Sequence, residues 1–209
     1  MSFDIKKFLE KITGEKAPGP AQTFSVLHMI RALELVAEGS IGRGKLAEEL
    51  KIGGGAARTI VNRLKSAGLI STSKKGCTLT DKGLKLYNEY KKIFGGKVKI
   101  DKDKLIPASY NFALLVKNCG HKIKSGIEQR DAAIKMGADG AATIVFKNGS
   151  FVIPSVSDDV ARDFPGLVEQ LIRLLKPGEN DVIIIGGAES LALAQYGAMA
   201  AAWTLLNNS

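Results

Sequence analysis

Between Thr23 and Phe94, helical and strand-forming patterns follow one another in an order that few small folds accommodate. Apolar residues recur at helical spacing in three successive stretches, which are residues 23–39, 45–50 and 56–67. Two β-prone runs then flank a Lys74-Lys75-Gly76 turn, which predicts a hairpin with a basic tip. A last helical pattern begins at Asp81. This order is typical of a winged helix-turn-helix.

Two short strings in this segment resemble winged-helix transcriptional regulators. KSAGLI at residues 65–70 resembles the run that joins the recognition helix to the wing. LTDKGLKLY at residues 79–87 resembles the segment that leaves the wing and opens the following helix. The resemblance implies that residues 21–95 form a DNA-binding domain.

Positive charge is concentrated in the first half of the chain. The net charge is +9, and residues 1–100 hold 19 Lys or Arg against 9 Asp or Glu. Residues 101–209 hold 11 against 12. A basic half joined to a neutral half indicates two domains with different partners, and double-stranded DNA is the expected partner of the basic half. The alternatives are RNA, a protein partner, or a lysine-rich surface that only meets solvent.

The third helix and the wing carry side chains suited to DNA. Arginine matches guanine and asparagine matches adenine in the major groove, whereas lysines on a wing tip neutralise phosphates. The residues expected to contact DNA are Arg43, Lys45, Arg58, Thr59, Asn62, Arg63, Lys65, Ser66, Lys74 and Lys75.

Composition divides the rest of the chain. Residues 1–20 are expected to be a leading amphipathic segment that docks on the body or on a second subunit. Residues 96–108 contain a glycine, four lysines and a proline, which predicts a linker, with a short edge strand as the alternative. Residues 109–209 are expected to form an α/β domain for effector binding or dimerisation.

The C-terminal patterns predict strand, helix, strand, strand, helix, strand and helix. The whole chain is thus expected to be α+β: a winged helix-turn-helix followed by a small α/β sandwich. A ferredoxin-like arrangement (βαββαβα) is one option for the sandwich. A sheet with another strand order is the alternative.

Two polar features in this domain suggest a small polar or anionic effector. Glu128, Gln129, Arg130 and Asp131 open a helix, and Gly186, Gly187 and Ser190 form a glycine turn before another helix. The alternative interpretations are helix capping with a solvated face, and a tight strand-to-helix turn. No cofactor loop is complete, and Cys119 with His121 is too sparse a set for a metal site.

Residues 124–154, KSGIEQRDAAIKMGADGAATIVFKNGSFVIP, resemble an archaeal family of uncharacterised proteins. That family joins a winged helix to a C-terminal α/β domain of unassigned activity. The resemblance therefore implies an architecture, without a ligand or catalytic residues.

The final helix, residues 190–206, is apolar on nearly every side and rich in alanine. A homodimer would cover it, or residues 3–12 of the same chain would fold over it. No membrane role is expected. The first residues lack the apolar core of a signal peptide, and two cysteines give no disulfide framework, so a cytoplasmic protein is expected.

The function predicted from the sequence is that of a DNA-binding transcriptional regulator. Its C-terminal domain would dimerise, sense a small ligand, or both. An enzyme is the rival, but residues 109–209 offer no nucleophile–base pair, so the chain is expected not to be an enzyme. A winged-helix adaptor that binds other proteins is a third possibility.

Overall fold

The computed structural model of the protein describes residues 4–14 and 23–206. The chain divides into two compact units, Met1–Lys91 and Lys92–Ser209. The first is mainly helical and the second contains a sheet with helices on both faces, so the expected α+β class is confirmed.

The first unit follows the order expected of a winged helix-turn-helix. Its elements are α1 (Ile5–Gly14), α2 (Val26–Glu38), α3 (Arg43–Leu50), α4 (Gly54–Ser66), β1 (Ile70–Ser73), β2 (Gly76–Leu79) and α5 (Asp81–Ile93). Fully buried Leu46, Ile60 and Leu64 form part of its core. The hairpin is antiparallel. Ile41 pairs with Cys77 through a single antiparallel β-bridge, which adds a one-residue third strand to the wing.

Helix α1 lies on α2 and α4 of its own unit. Its apolar side chains Ile5, Leu9 and Ile12 are buried there. The described part of the leading segment, residues 4–14, therefore packs on the helices of its own unit. Because these side chains are already covered, the account in which residues 3–12 shield the final helix is wrong for the part of this segment that the structure describes.

A reciprocal cap fixes the start of α2. The Ser25 N–H donates to Nδ1 of His28 at 3.1 Å, and the Ser25 hydroxyl lies 3.0 Å from the same nitrogen. A histidine nitrogen that accepts must carry no proton. Burial lowers the pKa of His28 below its usual 6.5, which agrees with a neutral ring.

We expect this cap to make stability depend on pH. The unfolded chain takes up the His28 proton at a higher pH than the folded chain does. The contribution of this cap to the free energy of unfolding is therefore complete above about pH 6.5 and is lost as the pH falls below that value. The variant His28→Gln keeps an acceptor at the third helical position but cannot titrate. Between pH 7.5 and pH 5.0, the urea midpoint of unfolding should fall less for His28→Gln than for the parent protein. Equal falls would contradict this role.

The second unit begins directly where α5 ends. Its elements are β3 (Phe94–Ile100), β4 (Tyr110–Val116), α6 (Ile127–Lys135), β5 (Gly140–Lys147), β6 (Ser150–Val152), α7 (Val160–Asp163), α8 (Pro165–Leu175), β7 (Val182–Ala188) and α9 (Leu191–Thr204), with a 3-10 turn at Gly120–Lys122. Residues 96–100, expected as linker, are thus part of β3. Val98 and Ile100 join the core beneath α8, whereas Lys99 is exposed, which is the alternation of an edge strand.

The sheet has the order β3-β4-β7-β5-β6 in the described residues, and every neighbouring pair is antiparallel. A ferredoxin-like sheet would place the hairpin partner of β5 beside β4. Here β7 takes that central place. All its side-chain positions are buried, whereas β6 has only three residues and suits an edge. The alternative of another strand order is therefore the observed one.

Helix α9 is covered in large part by its own unit. It contacts β4, β7 and the neighbouring α6, while α7 and α8 lie on the opposite face of the sheet. Eight of its residues are buried. The sheet and α6 together cover two sides of this helix, whereas Leu191 and Leu193 remain more than a third exposed.

Candidate nucleic-acid interface

Helix α4 divides cleanly into a core face and a solvent face. Ala57, Ile60, Val61 and Leu64 are buried, as the spacing predicted. Arg58, Asn62 and Lys65 are exposed. Because these three are spaced by four and three residues, they form one stripe along the helix. The stripe presents a guanidinium, an amide and an ammonium group outward.

Two hydroxyl residues flank this stripe. Ser66 is exposed at the end of α4, and Thr59 is half-buried. The Thr59 hydroxyl donates to the carbonyl of Gly55 at 3.1 Å, so its proton is engaged while its lone pairs stay available. Thr59 can therefore accept a hydrogen bond from a base, but it offers a phosphate no donor in this rotamer.

Arg63 does not belong to the exposed stripe. Its side chain is buried, its guanidinium donates to the carbonyl of Thr13 in α1, and it lies 5.1 Å from the centre of the Phe24 ring. The expectation that Arg63 contacts guanine is wrong, because α1 covers the flank of α4 from which it projects. Arg63 instead holds the leading helix against α4.

The wing presents its two lysines at the tip. Lys74 and Lys75 are exposed between β1 and β2. The Ser40 hydroxyl donates to the Lys75 carbonyl at 2.8 Å, which fixes the turn from the side of Ile41. Gly76 has a φ of +119°, and a Cβ there would lie 2.7 Å from the Ile41 backbone. Only glycine therefore allows this approach.

The start of α3 carries the last two cationic residues of the set expected to contact DNA. Arg43 is exposed. Lys45 forms ion pairs with Glu48 at 3.2 Å and Glu49 at 3.0 Å, and the hydrogen bonds to Glu49 and Glu48 raise its pKa. Its charge is compensated locally, so Lys45 contributes less to an anion-attracting surface than Arg43 does.

A buried polar network missed by the sequence analysis joins α2 to α5. The Tyr90 hydroxyl donates to the Glu34 carboxylate at 2.7 Å, and Arg31 lies 3.1 Å from the other Glu34 oxygen. Burial, and then the negative charge of Glu34, raise the pKa of Tyr90, so the hydroxyl keeps its proton. These three residues fix the scaffold rather than meet a ligand.

The predicted effector residues do not converge on one site. Gln129 is buried and donates to the Thr204 hydroxyl at 2.7 Å, whereas Arg130 and Asp131 pair with each other on the outer face of α6. Glu128 and Gln129 do line a cavity of about 270 Å³. The other lining residues are Lys122, Lys124, Ser125, Gly126, Thr204 and Leu205. A larger depression of about 650 Å³ is lined by residues 102–104, 107–109 and 163–166, outside the predicted set.

The glycine pair lies inside a strand rather than in a turn. Gly186 and Gly187 are buried in β7 and pair with β4 and β5. A Cβ on Gly186 would lie 2.5 Å from the Ala194 carbonyl oxygen, and one on Gly187 would lie 2.3 Å from Ile106. The anion-loop expectation is therefore wrong for both glycines: they admit neighbours on the two faces of the sheet. Ser190 caps α9 through a 3.3 Å bond from the Leu193 N–H.

Comparison with known families decides what the first unit is. Residues 21–94 match the family model described as the CggR N-terminal DNA binding domain. The chain carries a CggR-type DNA-binding domain. The match spans α2 to the start of β3, so it includes the exposed stripe of α4 and the lysines of the wing.

The second unit matches a family without an assigned role. Residues 107–205 match the model described as a domain of unknown function, DUF4443. The chain is also similar to a solved structure, a hypothetical protein from Pyrococcus horikoshii OT3. Identity is 27% and the TM-score is 0.71, over 87% of this chain and 92% of the other. No curated protein matches the chain. The resemblance to an uncharacterised archaeal family that carries a winged helix is confirmed.

The described residues contain neither a candidate membrane span nor a cluster of metal-binding side chains. None of the helices there is long and apolar enough to cross a membrane. No group of three or more His, Cys, Asp or Glu side chains stands close enough in that part of the chain to hold a metal ion.

Proposed function

We propose that the protein is a transcriptional regulator that reads DNA with α4 and anchors the duplex with its wing. The observation that carries the proposal is the exposed Arg58–Asn62–Lys65 stripe on a helix of a CggR-type DNA-binding domain. An α-helix fits into the major groove of DNA, where a guanidinium and an amide group can distinguish the bases by their hydrogen-bonding edges.

The proposed contacts divide into two kinds. Arg58 and Asn62 read base edges, with Thr59 as an acceptor beside them. The contacts proposed to hold the phosphate backbone are Arg43, Lys45, Lys65, Ser66, Lys74 and Lys75. Phosphate contacts set affinity and salt dependence, whereas base contacts set sequence preference, so the two groups give different signatures when they are removed.

We expect Arg58→Ala and Asn62→Ala each to cost about 1–3 kcal/mol on the preferred duplex and to relax its sequence preference. Lys74→Ala combined with Lys75→Ala should weaken preferred and random duplexes alike and reduce the salt slope. Duplexes selected from a random library by the full chain supply the preferred site, and titrations at several salt concentrations supply the slopes.

Lys147→Ala, an exposed lysine at the end of β5, is the control for loss of one charge. It should leave both affinity and slope close to those of the parent. If Arg58→Ala and Asn62→Ala weaken preferred and random duplexes equally, α4 is not the base-reading element.

The DUF4443 unit is proposed to regulate rather than to catalyse. The cavity between the start of α6 and the end of α9 supports a small polar or anionic effector, because Lys122 and Lys124 line it with Ser125 and Gln129. Mass spectrometry of small molecules retained by the purified chain tests this role. A substrate turned over by the full chain would instead favour the rival in which this unit is an enzyme.

A further inference from the structure

The cavity at the start of α6 has unused hydrogen-bond donors in its wall. Arg130 is the first residue of this helix whose N–H reaches a carbonyl, that of Gly126 at 3.0 Å. The N–H groups of Glu128 and Gln129 come before it and find no partner among the described residues. Such groups point out of the start of a helix, here toward the space that Ser125 and Gly126 line. The backbone therefore offers an anion two donors and the positive end of the helix dipole.

A buried hydroxyl beside the same helix start also lacks a partner. Thr143 is 3% exposed, and its Oγ1 makes no hydrogen bond in the part of the chain that the structure describes. Its neighbours Ala142 and Ile144 pack in the core beneath α8, so the Thr143 side chain faces α6 instead. A Cβ on Gly126 would lie 3.3 Å from this oxygen. A buried hydroxyl without a partner is unfavourable, and a bound oxygen atom would complete it.

Two lysines bring positive charge to the cavity. The Lys122 ammonium donates to the Leu205 carbonyl at 2.9 Å, which holds it at the end of α9 and leaves two of its three N–H groups for a ligand. Lys124 is exposed on the same wall. Glu128 supplies the one carboxylate among the described lining residues, so positive charge prevails there.

These donors fit an oxyanion of a small molecule. A carboxylate or phosphate oxygen accepts several hydrogen bonds, and charge makes each of them stronger. The cavity volume of about 270 Å³ suits a small metabolite better than a large cofactor.

We propose that this cavity binds the carboxylate or phosphate group of a small molecule. The N–H groups at the start of α6 and the Thr143 hydroxyl hold the oxygens, while Lys122 and Lys124 neutralise the charge. The inference rests on the proposed regulatory role of this unit and gives its effector a chemical class.

Calorimetric titration of the full chain with inorganic phosphate and with succinate tests the class. At constant ionic strength, at least one of these anions should bind saturably at millimolar concentration, whereas neutral glycerol should not. Trp203, the one tryptophan of the chain, precedes the lining residues Thr204 and Leu205, so its fluorescence should change over the same range. Phosphate binding alone would assign a phosphate ligand, and succinate binding alone a carboxylate ligand. No saturable binding of either anion would overturn the site.

Lys124→Met should weaken binding of that anion about tenfold, because a charge-assisted hydrogen bond is lost. Lys135→Met is the matched control, since Lys135 is an exposed lysine at the other end of the same helix and does not line the cavity. Its affinity should equal that of the parent protein. Equal losses in the two variants would show that only the overall charge of the protein matters, and would contradict the site.

Two further variants separate binding from folding. Thr143→Val keeps the shape of the side chain but removes the hydroxyl, so anion affinity should fall about fivefold while the urea midpoint does not fall. Glu128→Gln removes the opposing carboxylate and should strengthen anion binding about threefold. A merely structural role would not predict this gain. Unchanged affinity in both variants would overturn the proposed arrangement.

The outcomes keep this proposal apart from the proposed function. If the chain reads DNA through Arg58 and Asn62 but binds neither anion, the regulator stands and the oxyanion site is overturned. If the anion binds as described but does not change DNA affinity at saturation, the site stands and its role as an effector site is overturned.

Discussion

Replacing Gly186 with alanine is expected to destabilise the second unit by about 3 kcal/mol, at the upper end of what overpacking usually costs. The added Cβ would lie 2.5 Å from the Ala194 carbonyl oxygen and 2.8 Å from the Ala198 nitrogen. Both are backbone atoms of α9, so no side-chain rotation relieves the contact. Either the helix moves off the sheet or the central strand bends.

The fluorescence of Trp203 reports this change directly. It is the single tryptophan of the chain, it is buried in α9, and its ring stacks on Phe94 at 6.3 Å. Gly140→Ala is the control, because a Cβ at that strand position meets nothing within 4 Å. Its urea midpoint should stay near that of the parent. An equal midpoint for Gly186→Ala would mean that α9 does not lie as close to β7 as described.

Removing Arg63 is expected to cost about 3 kcal/mol of stability in the first unit, since a buried charged hydrogen bond and a cation–π contact are lost together. Arg63→Ala leaves the Thr13 carbonyl without this donor and Phe24 without the guanidinium beside it. Amide hydrogen exchange of α1 and α4 should accelerate. Trp203 lies in the other unit, so exchange rather than fluorescence is the appropriate measurement.

Arg58→Ala provides a crossed control on the same helix. This arginine is exposed, so its loss should change stability by less than about 0.5 kcal/mol while it weakens selective DNA binding. Arg63→Ala should lower the stability of the first unit but leave selective DNA binding unchanged under conditions where the variant remains folded. Unchanged exchange with lost base selectivity would show that Arg63, contrary to its burial, reads DNA.

Local patterns were sufficient for the first unit. The period of 3.6 in residues 23–67 and the hairpin around Lys74 and Lys75 each depend on neighbours in the sequence, and the structure reproduces their order. Arg63 was misjudged because it lies on the flank of α4. Whether a flank meets solvent depends on α1, which is about 50 residues away in the chain.

Long-range contacts account for the other errors. Gly186 and Gly187 resemble a turn when only their neighbours are considered, because glycine weakens a strand. Their presence in β7 follows from α9 on one face and Ile106 on the other. The strand order could not be predicted for the same reason. The sequence indicates that β5 and β6 form a hairpin, but the pairing of β7 with β5 joins segments that are far apart in the chain.

The direct passage from α5 into β3 has a practical consequence for dissection of the chain. Ile93 ends the helix and Phe94 begins the strand, so no irregular segment separates the units for a protease to bind in extended form. The irregular residues 101–109 follow the first strand of the second unit, and cleavage there would leave β3 attached to the wrong piece. A fragment that ends at residue 100 would likewise present Phe94 and Ile100 to water. A boundary near Lys92 keeps this strand with its sheet.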